Sequence, residues 1–280
     1  MIMTILNFIN SLFTTLFGWF FIPFEQIHPA WGMLIVSLVM SILMLVIFKR
    51  TSDQKGVRVA KNHVKAHFLA IRLYRDDISL MFNTMKNILV SNGRYIKKSF
   101  RPMLFMIVPV SIILIQIGSR YEYRPLKVGE STLVTVHLGR NIPEDQINSV
   151  ELQLPDGLVV DAPPVRIYSM REINWRIVAK SEGDFDVVFK VGDTSVSKKI
   201  VVKNELTALS KQISKSQLSV TLMNPTEASL PGESKISSIL VQYPTREFEF
   251  LGFTFHWLIA FFVFSILFAF SLKGVMGVEV

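Results

Sequence analysis

Few side chains in this sequence are equipped for covalent or metal chemistry. Cysteine is absent, which excludes a thiol nucleophile, a disulfide framework and a sulfur-ligated metal. His63 and His67 stand four apart, a spacing that puts two imidazoles on one helix face, but no third ligand or HExxH motif accompanies them. The Gly-x-Ser-x-Gly, phosphate-loop and acidic calcium-loop patterns are missing as well. The expectation is a protein that is not an enzyme, with no cofactor, no metal and no small-molecule substrate. The polar residues that stand out are mild ones in apolar surroundings: Ser37 and Ser41, four apart, then Ser111 and Gln116. Such groups either bond between membrane helices or line a hydrophilic groove. Met40, Met44, Met103 and Met106 stand beside them and would supply a polarizable, non-selective contact surface, or ordinary packing.

The elements that must position these residues are membrane spans. Half of the 280 residues are hydrophobic and 19% are charged, and the apolar residues are clustered. Residues 31–48 carry no charge, cover about 27 Å as a helix, and end at Lys49-Arg50. Residues 102–119 are equally free of charge between Arg101 and Arg120, with Pro102 and Pro109 expected to bend or interrupt the helix. Residues 251–272 form the third span, followed by Lys273. No acidic or basic residue lies inside any of the three, which weighs against an ion-coupled transporter. Residues 4–24 are apolar too, but Asn7, Asn10, Ser11, Thr14 and Gly18 make one polar stripe. An amphipathic helix in the outer interface, within residues 1–30, fits that stripe better than a fourth span.

Lysine and arginine set the orientation. Residues 49–101 hold thirteen of them against three aspartates, whereas residues 120–250 hold 16 basic and 17 acidic residues. The first segment is therefore expected in the cytoplasm, the second outside, and the tail 273–280 inside. Between the first two spans, Val57, Val64, Ile71, Ile78 and Met85 keep a heptad. Ala60, His67, Tyr74, Met81 and Ile88 fill the position three residues on, and Gly93 closes the pattern. One rod or a helical hairpin turning at Asp76-Asp77 would satisfy it; a coiled-coil hairpin needs no partner and is preferred. Its basic face (Lys61, Lys65, Arg72, Arg75, Lys86, Arg94, Lys97, Lys98) is either solvated or in contact with anionic lipid or the ribosome.

Within residues 120–250 the periodicity changes to two. Val134, Val136 and Leu138 alternate with polar residues, as do the sets beginning at Val150, Ile173, Phe185, Val196 and Ile236. Turns at Pro155-Asp156-Gly157 and Ser181-Glu182-Gly183 separate them. The expected fold is an all-β, immunoglobulin-like antiparallel sandwich with Trp175 in its core, and a short helix is expected within 205–217.

Three stretches resemble the YidC-type membrane insertase superfamily, most nearly its archaeal and ER membrane complex branch. Trp31-Gly32 with the helix ending at Lys49-Arg50…Gln54 resembles the first core helix. Tyr74-Arg75-Asp76-Asp77…Met81…Met85 resembles the turn of the cytoplasmic hairpin, and Phe100-Arg101-Pro102-Met103…Pro109 the start of the second core helix. The resemblance covers about residues 25–120 and the last span. It departs from the family in two places. Residues 39–44 lack the arginine that bacterial members keep in the first core helix, and a β domain replaces a short link. It implies a multi-pass protein of a prokaryotic plasma membrane, an insertase or chaperone. Its hydrophilic groove would receive nascent or client membrane proteins, alone or with a membrane partner complex. The alternative is a non-insertase scaffold whose β domain and coiled coil recruit protein partners.

Overall fold

A computed structural model describes residues 2–25, 27–54, 56, 58–59, 62, 65–66, 69, 78–139, 142–215 and 217–278. The α-helices that matter below are α1 (Ile2–Phe21), α2 (Pro29–Thr51), α3 (Ile78–Tyr121), α4 (Leu218–Met223) and α5 (Trp257–Met276). Three helical segments, Pro29–Thr51, Pro102–Tyr121 and Trp257–Met276, are long and apolar enough to cross a membrane. Most of the heptad positions at 57–77, the Asp76-Asp77 turn, and His63 and His67 lie outside the described residues.

Two expectations about the helices need correction. Gly93 does not end a helix: α3 runs for 44 residues through Gly93, Pro102 and Pro109. The apolar run before the third span is also not helical up to residue 256. The hairpin β9 (Phe248–Phe250) and β10 (Phe253–Phe255) precedes α5, and its two-residue loop, Leu251 and Gly252, has φ of 52° and 81°. Two consecutive positive φ values make a tight turn whose twist suits a hairpin and cannot continue a right-handed helix.

The chain divides into two compact units, Met1–Gly32 with Leu114–Leu258, and Met33–Ile113 with Ile259–Val280. The first contains the β domain. One sheet is ordered β3 (Leu158–Ile167), β4 (Glu172–Ala179), β1 (Ser131–Leu138), β8 (Ile236–Val241), β7 (Gln212–Ser214). A second is ordered β2 (Val150–Gln153), β5 (Gly183–Val191), β6 (Thr194–Val202), and every strand pair is antiparallel. The alternation explains the arrangement: Val134 and Val136 of β1, Ile173, Trp175 and Ile177 of β4, and Val187 and Phe189 of β5 join one buried core. Trp175 meets Phe189 edge-on at 5.7 Å, which ties the two sheets together. The strand β3 carries Pro163 and Pro164 at a sheet edge, where its register breaks twice and a missing N–H costs least. The helix expected within 205–217 is not there; β7 occupies 212–214, and the helix comes later, as α4.

Helix α1 belongs to the same unit, and its polar stripe serves docking. Asn7 donates to Ser229 Oγ (3.2 Å), Asn10 to the Thr221 carbonyl (2.7 Å) and Thr14 to the Pro225 carbonyl (3.2 Å). Phe8, Leu12, Leu16 and Trp19 are left exposed. An amphipathic helix has thus turned its polar face to the protein and its apolar face outward.

Candidate functional site

In the second unit α2 and α5 run parallel. The Ser37 hydroxyl reaches the Phe261 carbonyl (3.5 Å), the Ser41 hydroxyl the Ser265 carbonyl (2.7 Å), and Lys49 Nζ donates to the Met276 carbonyl (2.6 Å). The offsets of 224, 224 and 227 residues are nearly constant, as only a parallel pair in register allows. Ser41 also lies 2.7 Å from the carbonyl of Ser37, one turn back, so its hydroxyl hydrogen is shared between the two helices. Ser37, Ser41 and Phe261 are buried along this seam. The two serine hydroxyls therefore bond between helices, one of the two roles that their sequence positions leave open.

Towards the end of α2 and α5 that carries Lys49 and Lys273, the seam opens. A pocket of about 210 Å³ is lined by Met44, Leu45 and Phe48 of α2, Met106 of α3, and Ala269, Phe270 and Lys273 of α5. Apart from Lys273 these side chains are apolar. The Lys273 ammonium lies 4.4 Å from the centre of the Phe270 ring, a cation–π contact at the rim. Two of the four methionines singled out in the sequence meet here. Met40 is buried, and Met103 is exposed on α3 beside Leu104, Phe105, Ile107 and Val108. Ser111 is exposed as well. The outward faces of α5 are apolar, and only 11% of its span is buried.

Gln116 has a different setting, in the first unit. It is buried, donates to Thr14 of α1 (3.2 Å), and accepts from the Arg120 guanidinium (3.3 Å). Arg120 is buried too, bonds the Gln116 carbonyl (2.9 Å), and stacks over Phe21 at 5.0 Å. The long apolar segment of the helix runs to Tyr121 and so takes in Arg120, the residue that follows the charge-free stretch 102–119. Tyr121, fully buried, rests edge-on between Phe21 and Phe248 at 6.2 Å from each ring. A Cβ added to Gly118 would lie 3.5 Å from the Trp257 ring. Pro29 and Gly32 at the start of α2, Gly118 and Tyr121 at the end of α3, and Trp257 at the start of α5 thus lie near one another within the first unit.

Of the basic residues, Lys65 and Lys86 are exposed and Arg94, Lys97 and Lys98 lie on α3, while Lys61, Arg72 and Arg75 fall outside the described residues. Among the described residues no group of three or more His, Asp or Glu could hold a metal ion.

Three apolar helices of spanning length and an antiparallel β domain are the parts of a membrane protein with a β domain. No protein-family model matches the chain, and no curated protein does.

Proposed function

We propose that the chain is a YidC-like insertase or membrane-protein chaperone that receives a client transmembrane segment in the slot between α2, α3 and α5. The apolar pocket around Met44 and Met106, with Lys273 at its rim, is the observation that carries this reading. A client helix entering there would exchange water for apolar contacts at the membrane edge, and flexible methionines accommodate unlike side chains. The single basic rim residue would hold the acidic or polar flank of the client near the entrance. Residues 50–101, read as a cytoplasmic coiled-coil hairpin, would gather clients, with anionic lipid or the ribosome against its basic face. The β domain, read as an immunoglobulin-like sandwich outside a prokaryotic plasma membrane, would clamp the far ends of the spans, and α1 would lie in the outer interface.

The test is photo-crosslinking in proteoliposomes of the full chain. A photoreactive residue replaces Met44 or Met106, and the client is a labelled single-span protein with a short translocated tail. Client adducts at both positions and none at Glu182, in an exposed turn of the β domain, are expected. Insertion without adducts at 44 and 106 would overturn the assignment of the slot.

The closed Ser37–Ser41 seam favours a second reading, a non-insertase scaffold that recruits protein partners on either side of the membrane. A stoichiometric partner complex in mild detergent, together with failed insertion by the reconstituted chain, would establish it.

A further inference from the structure

The hairpin β9–β10 carries an apolar face that is covered at its base and exposed towards its tip. Its cross-strand pairs are Phe250 with Phe253, Glu249 with Thr254, and Phe248 with Phe255. Paired residues share a face and successive residues alternate, so all four phenylalanines project from one side and Glu249 and Thr254 from the other. At the base, Phe248 is buried against Tyr121. Further out the same face leaves the protein: Phe255 is 42% exposed, Phe253 67%, and Leu251 at the tip 82%. The tip residue is unexpected on backbone grounds. Leu251 adopts φ of 52°, a left-handed position where asparagine, aspartate or glycine is relaxed and a leucine is strained. Among the described residues its side chain gains no compensating burial.

We propose that this hairpin inserts its tip into the membrane leaflet on the β-domain side, with Leu251, Phe253 and Phe255 at the boundary between headgroups and acyl chains. The occupant follows from chain continuity: His256 alone separates Phe255 from Trp257, the first residue of the third span. A hairpin so tethered lies within a few ångströms of the bilayer surface, where aromatic rings partition well. Tyr121, the last residue of the second span, anchors its base. Glu249 and Thr254, on the opposite face, would remain towards water. Insertion offsets the strain at Leu251 by removing its side chain from water. The inference needs only the three spans and is independent of insertase activity.

The absence of cysteine allows a single reporter site. The full chain carrying Leu251→Cys or, as an aqueous reference, Glu182→Cys is spin-labelled and reconstituted in vesicles of phosphatidylcholine with phosphatidylglycerol. At 251, collisions with oxygen should exceed those with a water-soluble nickel chelate, with the reverse at 182. Adding Phe253→Ser should shift the label at 251 towards the aqueous ratio. An aqueous ratio at 251 in the parent chain would overturn the proposal. So would protection from both reagents, which would mean that protein rather than lipid covers the tip.

Discussion

The Tyr121 hydroxyl donates to the Pro29 carbonyl at 2.8 Å, and Gly32, three residues along α2, is what lets the phenol sit there. A Cβ at Gly32 would come within 2.7 Å of that hydroxyl and 3.1 Å of the Phe21 ring. This contact joins the start of α2 to the end of α3. Because the tyrosine is fully buried and pinned by its hydrogen bond, it has little room to withdraw.

Gly32→Ala should therefore destabilise the protein by about 1–3 kcal/mol through overpacking, and Tyr121→Phe by about 1 kcal/mol through the lost hydrogen bond. Gly93→Ala is the control. Nothing lies within 4 Å of its added methyl and the residue is helical, so it should gain roughly 0.5–1 kcal/mol. Thermal midpoints in detergent would show the ranking; equal midpoints for Gly32→Ala and the parent would refute the tight fit.

Ser41→Ala separates the two roles a membrane serine can have. As an interhelical partner its loss should cost roughly 0.6 kcal/mol of stability while client insertion stays near the parental rate. Stability unchanged with insertion strongly reduced would instead restore the hydrated-groove role.

Met106→Trp tests the slot by filling it. The indole would occupy much of the 210 Å³ beside Met44 and Phe270, so client cross-linking from position 44 should fall towards background with the fold intact by circular dichroism. Undiminished cross-linking would place the client elsewhere.

Lys198 of β6 is fully buried, bonds the Ser210 carbonyl at 2.7 Å, and pairs with Glu227. Removing only the lysine (Lys198→Met) strands the carboxylate and should cost about 3–5 kcal/mol, much of which Lys198→Met with Glu227→Leu should recover. Burial holds the Lys198 pKa below its ordinary 10.5, against the opposing pull of Glu227. Between the folded value and 10.5 the unfolded chain binds more protons, so this lysine's contribution to stability rises with pH across that window. Tyr243 works the other way: burial raises its pKa above 10, and its contribution falls as pH climbs through 10 and above. Denaturant midpoints followed by Trp175 fluorescence, parent minus Lys198→Met, should isolate the first trend; a flat difference would contradict it.

Local pattern was enough for much of the architecture. The core of each span is a long apolar run, and a run of that length has few structural options in lipid. Six strand sets were legible because a half-buried strand must alternate, as Val134 and Val136 do. The β9–β10 hairpin was hidden for a related reason: a hydropathy average over residues 251–272 merges a period-two phenylalanine pattern with the helix after it, and only the positive φ at Leu251 and Gly252 separates them.

What the residues alone could not decide was which groups meet. Ser37 and Ser41 suit either a groove or a seam, and only the parallel register of α2 and α5 brings their hydroxyls to carbonyls of α5. Gln116 was read with those serines by chemical type, yet its partners are Thr14 and Arg120, more than a hundred residues and four residues away in the chain. The polar stripe of α1 promised a wet face and found the β domain. Composition and period report how much of an element wants to leave water; the partner that accepts it is set by contacts distant in sequence, and those exist only once the chain has folded.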